Sequence, residues 1–224
     1  MCGRFTHLLT WAQLHRLLRL TSDPIDLPIR YNIAPTQLAP VVRTTPEGGR
    51  AVHMLRWGLV PSWAKELAIG NSMINARGET IATKPAFRAA FKRRRCIVPA
   101  SGFYEWKKCE ETKAKQPFYI TASDQSPLML GGLWESWTSP DGEIIRTFTI
   151  ITTTPNEMMA VIHDRMPVIL DPSDIDTWLD PEVEDAGDLV RPFPAELMLA
   201  SPVSTRVNSP RNDSPDCIQP QVPQ

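Results

Sequence analysis

The chain opens Met1-Cys2-Gly3-Arg4-Phe5, and here residue type and position offer the most chemistry. Removal of Met1, the usual fate of an initiator methionine before a small second residue, would leave Cys2 with a free α-amine and a thiol on adjacent carbons. The amine can form a Schiff base with an aldehyde, and the thiol can then close a five-membered thiazolidine ring. No internal residue can take both steps. An α-amine titrates near about 7.7–8.0 and a thiol near about 8.5, so a useful fraction of neutral amine exists at neutral pH, without the desolvation a lysine needs. Taken alone, a cysteine at position two is more often chemically idle.

Three further stretches carry more polar content than a core would want. In Met73-Ile74-Asn75-Ala76-Arg77 an amide and a guanidinium two residues apart share a face of any strand. Asn75 could orient a carbonyl-type group while Arg77 clamps a phosphate; a turn amide and a surface ion pair are the structural alternative. Ser101-Gly102-Phe103-Tyr104-Glu105-Trp106 sets a carboxylate among aromatics, where burial raises a carboxyl pKa towards that of a working acid; the alternative is the wet side of an edge strand. Val161-Ile162-His163-Asp164-Arg165-Met166-Pro167 places a His-Asp-Arg cluster between a helix and a strand, although most such histidines are structural. The run Phe91-Lys92-Arg93-Arg94-Arg95 reads first as a solvated helix end and second as a DNA-facing surface. Trp57 and Trp63 read as core or shell residues, or as stacking platforms for a base.

The elements that must position these groups follow from periodicity. Thr10 caps a helix from Trp11 to about Leu20, with Leu14, Leu17 and Leu18 on one face. Strands are expected at Ala39–Arg43 and Ala51–Trp57, joined through Pro46-Glu47-Gly48-Gly49. Further strands are expected at Cys96–Pro99, Phe103–Lys107, Pro117–Ala122, Leu128–Trp134 and Glu143–Thr152. A basic helix opens at Thr83-Lys84-Pro85 and runs through Arg95. Another runs from Thr154-Pro155 to near His163, then a strand Met166–Leu170, then a helix from Asp171-Pro172-Ser173 through Leu179. The fold class expected is α+β: one domain over 1–224, a mostly antiparallel, twisted or barrel-like sheet with several short helices. Five prolines in the last 25 residues give no periodicity there.

Composition narrows the function classes. The 224 residues carry 22 prolines, a net charge of −1 and a hydrophobic fraction of 42%, so any contact with nucleic acid must come from local positive charge. Cys2, Cys96, Cys109 and Cys217 are scattered and form no CxxC pair, which suits thiols of a reducing compartment rather than a disulfide framework or a metal site. No signal peptide or membrane span is legible, and no cofactor motif is present. A cytoplasmic protein without membrane contact is expected, nucleoid-associated when engaged on DNA.

Together the blocks Met1–Phe5, Tyr31-Asn32-Ile33-Ala34-Pro35, Arg56-Trp57-Gly58-Leu59-Val60-Pro61, Ile74–Arg77, Gly102–Trp106 and Ile162–Pro167 resemble the signature of the SRAP family, the SOS-response-associated peptidase-like abasic-site shields. A weaker echo runs from Val203-Ser204 through Asp213 to Ile218-Gln219-Pro220, so the resemblance implies that about 205–224 is an ordered closing segment. It implies a monomer that binds single-stranded DNA containing abasic sites and links Cys2 to the ring-opened aldehyde, with possible Schiff-base lyase and self-processing peptidase activities. Carried over residue by residue, Cys2 is the nucleophile and Asn75 bonds near the linkage. Glu105 shuttles protons, and His163 helps open or steady the sugar. Arg77 and Arg165 grip phosphates, with Arg4 and Thr152 as further DNA contacts. Pro61-Ser62-Trp63-Ala64 and the loop after it follow the family only loosely. Two rival classes remain: an N-terminal-nucleophile hydrolase, whose glutamine-pocket motifs are missing here, and a non-covalent single-stranded DNA-binding protein in which Cys2 is incidental.

Overall fold

The computed structural model describes residues 2–108 and 115–221, so Met1 and Cys109 lie outside the described residues. In chain order the strands are β1 (Arg4–His7), β2 (Arg30–Ile33), β3 (Leu38–Thr44), β4 (Arg50–Trp57), β5 (Asn75–Arg77), β6 (Arg95–Ala100), β7 (Gly102–Lys108), β8 (Lys115–Ala122), β9 (Leu128–Thr138), β10 (Ile144–Thr153), β11 (Met166–Pro167) and β12 (Met198–Pro202). The helices are α1 (Trp11–Leu18), α2 (Arg88–Arg93), α3 (Glu157–Ala160) and α4 (Ile175–Leu179).

Alternation builds the barrel. Val41, Leu55, Val98, Leu130 and Phe148 occupy one face of β3, β4, β6, β9 and β10 and are buried together. Their neighbours Val42, Val52, Ile97, Leu133 and Ile151 point the other way, into a second core that includes Leu14 and Leu18 of α1, Phe91 of α2 and Trp178 of α4. Strands buried on both faces lose any polar–apolar alternation and gain two apolar layers. The ring runs β10-β4-β3-β6-β9 and returns to β10. Phe148 closes it, lying opposite Trp57 of β4 in a parallel pair and opposite Trp134 of β9 in an antiparallel one. Closure leaves these five strands no edge to present to another chain. Trp57 is wholly buried, 5.1 Å from the Phe5 ring edge-on and 6.1 Å from Phe148 in a stack, geometries that add about 0.5–1.5 kcal/mol each to burial. A second sheet, β12-β8-β7-β1-β2, carries the N-terminal strand.

The α+β, barrel-like expectation matches this architecture, with corrections in its parts. The sheets are mostly antiparallel as expected, the parallel pairs being those of β10 with β4 and β5. Helix α1 stops at Leu18, where Arg19 turns left-handed at φ 52°, and Leu17 is 45% exposed rather than part of the apolar face. The Thr10 cap is present as a reciprocal capping box with Gln13. The basic helix is only Arg88–Arg93, and Arg95 belongs to β6. There Arg95 is buried, and its guanidinium donates to the carbonyls of Phe91, Lys92, Trp178, Asp180 and Val183. A long side chain that can satisfy five buried acceptors outweighs local helix preference. Lys92 and Arg93 face Glu184, and Arg94 pairs with Glu135 at 2.8 Å, so carboxylates offset much of the basic run. Helix α3 is one turn, capped by Asn156 rather than Thr154. Of the expected strand Met166–Leu170, β11 takes Met166–Pro167, and Ile169 makes an isolated bridge to Leu130. The expected helix from Asp171 is a 3-10 turn, Pro172–Asp174, leading into α4.

Despite its prolines, the C-terminal segment is packed. Asn32 of β2 is buried and donates to the carbonyls of Val207, Ser209 and Asn212. Asp213 accepts from the amides of Tyr31 and Asn32 and pairs with Arg30. Val207 and Cys217 are fully buried beside Tyr104. The proline-rich composition lowers helix and strand content but does not prevent docking, because the anchoring donors come from β2. Among the described residues no helix is long and apolar enough to cross a membrane.

Candidate active site

Strand β1 positions Cys2. Its register with β7, Arg4 opposite Tyr104 and Phe5 opposite Phe103, carries the residues before Arg4 towards Glu105. The β7 backbone lies close here because residue 102 is glycine: a Cβ would sit 2.5 Å from the Tyr119 ring. Tyr119 in turn hydrogen-bonds Thr6 of β1 at 2.8 Å. Cys2 is wholly buried, and its carbonyl accepts from Asn75 Nδ2 at 2.8 Å. Asn75 is delivered by the parallel pairing of β5 with β10, which sets it opposite Ile150. Its Oδ1 is buried and has no hydrogen-bond partner, so an open acceptor lies beside the first residues of the chain.

Glu105 is 2% exposed. Its carboxylate acts on the Cys2 thiol, whose pKa is pushed well above the usual thiol range first by burial and second by this negative charge. At neutral pH the sulfur is therefore a thiol, and its proton needs an acceptor when it reacts. Glu105 and Gly3 line an open cavity of about 550 Å³, together with Arg4, Trp106, His163 and Asn208. The turn after α3 holds His163, whose amide donates to Met159 O at 2.8 Å. Its Nδ1 lies 3.0 Å from the Arg165 amide and 2.9 Å from Asp164 Oδ1. The amide contact requires an unprotonated Nδ1, and the carboxylate contact a protonated one. Asp164 is 87% exposed, so water screens the ionic arrangement and the amide contact is the more constraining.

Cys2, Asn75, Glu105 and His163, far apart in sequence, thus converge on one end of the barrel. A model of the family described as SOS response associated peptidase (SRAP) matches residues 1–210. The chain belongs to the SRAP family. "Abasic site processing protein YoqW" of Bacillus subtilis is 41% identical over 227 residues, spanning 98% of this chain and 99% of that protein. "Abasic site processing protein HMCES" of Mus musculus is 34% identical over 268 residues, spanning 98% of this chain and 76% of the relative. Among solved structures, a protein from Bacteroides thetaiotaomicron superposes with a TM-score of 0.88 at 28% identity, covering 99% of this chain and 100% of that one.

The cationic residues of this SRAP chain differ sharply in availability. Arg77 is exposed at the end of β5, opposite Thr152 of β10. Arg165 forms a two-pronged ion pair with Glu79 and donates to Thr152 O at 2.6 Å, with Thr152 Oγ1 at 3.4 Å. Arg4 donates to Asn32 Oδ1 at 3.1 Å, Val207 O at 2.7 Å and Asn208 O at 3.1 Å, so it clips the C-terminal segment to β1. Sequence reasoning passed over Glu79, whose signal was a carboxylate two residues beyond Arg77. It also passed over Asn208, whose Oδ1 accepts from Trp106 Nε1 at 2.8 Å on the cavity rim. Trp57 is core, while Trp63 is 60% exposed.

Proposed function

We propose that this SRAP protein processes abasic sites in single-stranded DNA by covalent capture on Cys2. Once Met1 is removed, the amine of Cys2 attacks the aldehyde carbon of the ring-opened abasic sugar, and loss of one water gives an imine. The sulfur then adds to the imine carbon while the S–H proton leaves and the imine nitrogen gains one. The product is a thiazolidine, and the whole sequence releases one water. An intact nucleotide offers no aldehyde, so the chemistry itself selects the lesion.

Glu105 is the base for the thiol proton and the acid for the departing water. Asn75 holds the Cys2 carbonyl and offers its open Oδ1 to the amine or a sugar hydroxyl. His163 faces the same cavity and steadies the opened sugar. Arg77 supplies the most accessible phosphate contact, with Arg165, Thr152 and Arg4 nearby. The same imine also permits a lyase branch, in which a proton is lost from the adjacent sugar carbon and the 3′-phosphate leaves; ring closure suppresses it by consuming the imine. The observation that carries this reading is the placement of Cys2 against Asn75, with Glu105 acting on its thiol beside an open cavity. The names of the relatives point the same way.

The test is denaturing electrophoresis and intact mass after mixing the Met1-less protein with single-stranded DNA bearing one abasic site. The expected adduct survives denaturant at the mass of protein plus DNA minus one water, and Cys2→Ala abolishes it while retaining DNA binding. An adduct formed equally by Cys2→Ala would overturn the assignment.

A further inference from the structure

The end of the barrel remote from Cys2 carries a second constellation that the capture chemistry does not use. On β3, Arg43 follows Val41 by two residues and shares its inward face; on β4, His53 precedes Leu55 in the same way; on β10, Arg146 precedes Phe148. All three sit where their strands leave the interior. Ile150, which lies opposite the Asn75 that bonds Cys2, is four positions from Arg146 on β10, a separation of about 13 Å at the rise of an extended strand.

The cations are close enough to perturb one another. Burial lowers the Arg43 pKa, and the charge of Arg146 lowers it further. His53 is lowered by burial first and then by Arg43 and Arg146. Among the described residues no ion pair joins a carboxylate to Arg43 or Arg146. Arg43 Nε and His53 Nε2 are both buried without a hydrogen-bond partner. The Arg43 guanidinium carbon lies over the Trp134 ring, 4.3 Å from its centroid. Beside Arg43 opens a cavity of about 290 Å³ lined by Thr45, Arg93, Arg95, Trp134 and Trp178 and by no acidic side chain, with His53 and Arg146 outside its lining. Arg95 spends its five donors on carbonyls and contributes charge alone.

Buried donors left unpaired beside uncompensated positive charge are costly in a resting protein, and an oxyanion would satisfy both deficits at once. We propose that the cavity beside Arg43 at this barrel mouth is a phosphoryl-anion site, with Arg43 as its donor and with His53 and Arg146 as the neighbouring polar and positive groups of the same mouth. A guanidinium presents paired donors to phosphate oxygens, and the cavity admits a phosphate group or one phosphodiester unit of a strand. The site stands independently of capture at Cys2.

The experiment is a titration of the full-length protein at low ionic strength, following the assigned His53 side-chain NMR resonances. One arm adds inorganic phosphate; the other adds an undamaged single-stranded oligonucleotide. A saturable His53 shift with phosphate identifies a free phosphoryl ligand. A shift with the oligonucleotide alone identifies the phosphodiester of a bound strand. In either case the apparent Kd should rise at least ~10-fold in Arg146→Gln, an exposed substitution that leaves the core intact, and in Arg43→Gln. The rate of adduct formation at Cys2 with saturating DNA should be unchanged. Absence of a saturable shift in both arms overturns the proposal, as does an equal shift in Arg146→Gln and Arg43→Gln.

Discussion

Replacing Arg4 by methionine separates two roles that one guanidinium could play beside Cys2. The sequence reading makes Arg4 a DNA contact, whereas the fold makes it the clip between β1 and the closing segment. Its three hydrogen bonds, to Asn32 Oδ1, Val207 O and Asn208 O, are all lost in the variant, while methionine keeps most of the aliphatic packing. Bonds from a charged donor contribute about 1.5–3 kcal/mol each. Three bonds sharing one group are not additive, and water reaches part of this site, so the expected loss is about 3 kcal/mol. For a chain of this size, that lowers the Tm by about 9 °C. Chemical denaturation should show the same loss at unchanged m-value, and hydrogen exchange should quicken at the Asn32, Val207 and Asn208 amides. Adduct formation should slow only as far as the Asn208 rim of the cavity loosens. A Tm within 1 °C or so of the parent, accompanied by a reduced salt dependence of DNA binding, would refute the structural role and return Arg4 to the DNA interface.

In Glu105→Gln two effects oppose one another. Loss of the carboxylate removes the second cause of the raised Cys2 pKa, so electrostatics alone gives more thiolate and faster capture. Loss of the proton shuttle slows capture by ~10²-fold, about 2.7 kcal/mol in the barrier. Single-turnover time courses on denaturing gels should show the slowing, and a variant as fast as the parent would remove Glu105 from the mechanism. Arg165 is tied to Glu79, whose carboxyl is held below the usual range first by its hydrogen bond to Arg165. The pair's contribution is therefore complete above the ordinary carboxylate pKa of about 4.3 and fades as pH falls through the lower folded-state value. At neutral pH, Glu79→Gln should release Arg165 and steepen the salt dependence of single-stranded DNA binding by about 0.7 in log–log slope, whereas Arg77→Ala should flatten it by about the same amount. Fluorescence anisotropy across a salt series measures both, and unchanged slopes would place neither arginine on the DNA.

Much of the local structure was legible because its causes are local. The Thr10–Gln13 capping box needs only spacing, and the alternation in β3 and β4 needs only the pleat. The basic helix was misjudged for the opposite reason. Arg95 leaves it because the carbonyls it satisfies include those of Trp178, Asp180 and Val183, more than 80 residues away. Likewise, composition marked the C-terminal prolines as structureless, while the groups that anchor them, Asn32 and Arg4, lie near the other end of the chain.

The sequence by itself determined the group to which we assign the reaction. An amine and a thiol on adjacent carbons of Cys2, once Met1 is removed, are a matter of covalent order, independent of any fold. It also supplied Asn75, Glu105 and His163 as candidates, since each stands among residues that a plain core strand or solvated turn would not require. The tertiary structure decided which charges remain available, because pairing is set by neighbours in space. It leaves Arg77 exposed, couples Arg165 to Glu79, commits Arg4 to the closing segment and buries Arg95. It also decided that the parallel pairing of β10 with β4 closes the barrel and that β5 alongside β10 carries Asn75 to Cys2. Those pairings join strands distant in sequence, and only the shared burial of their apolar faces selects them.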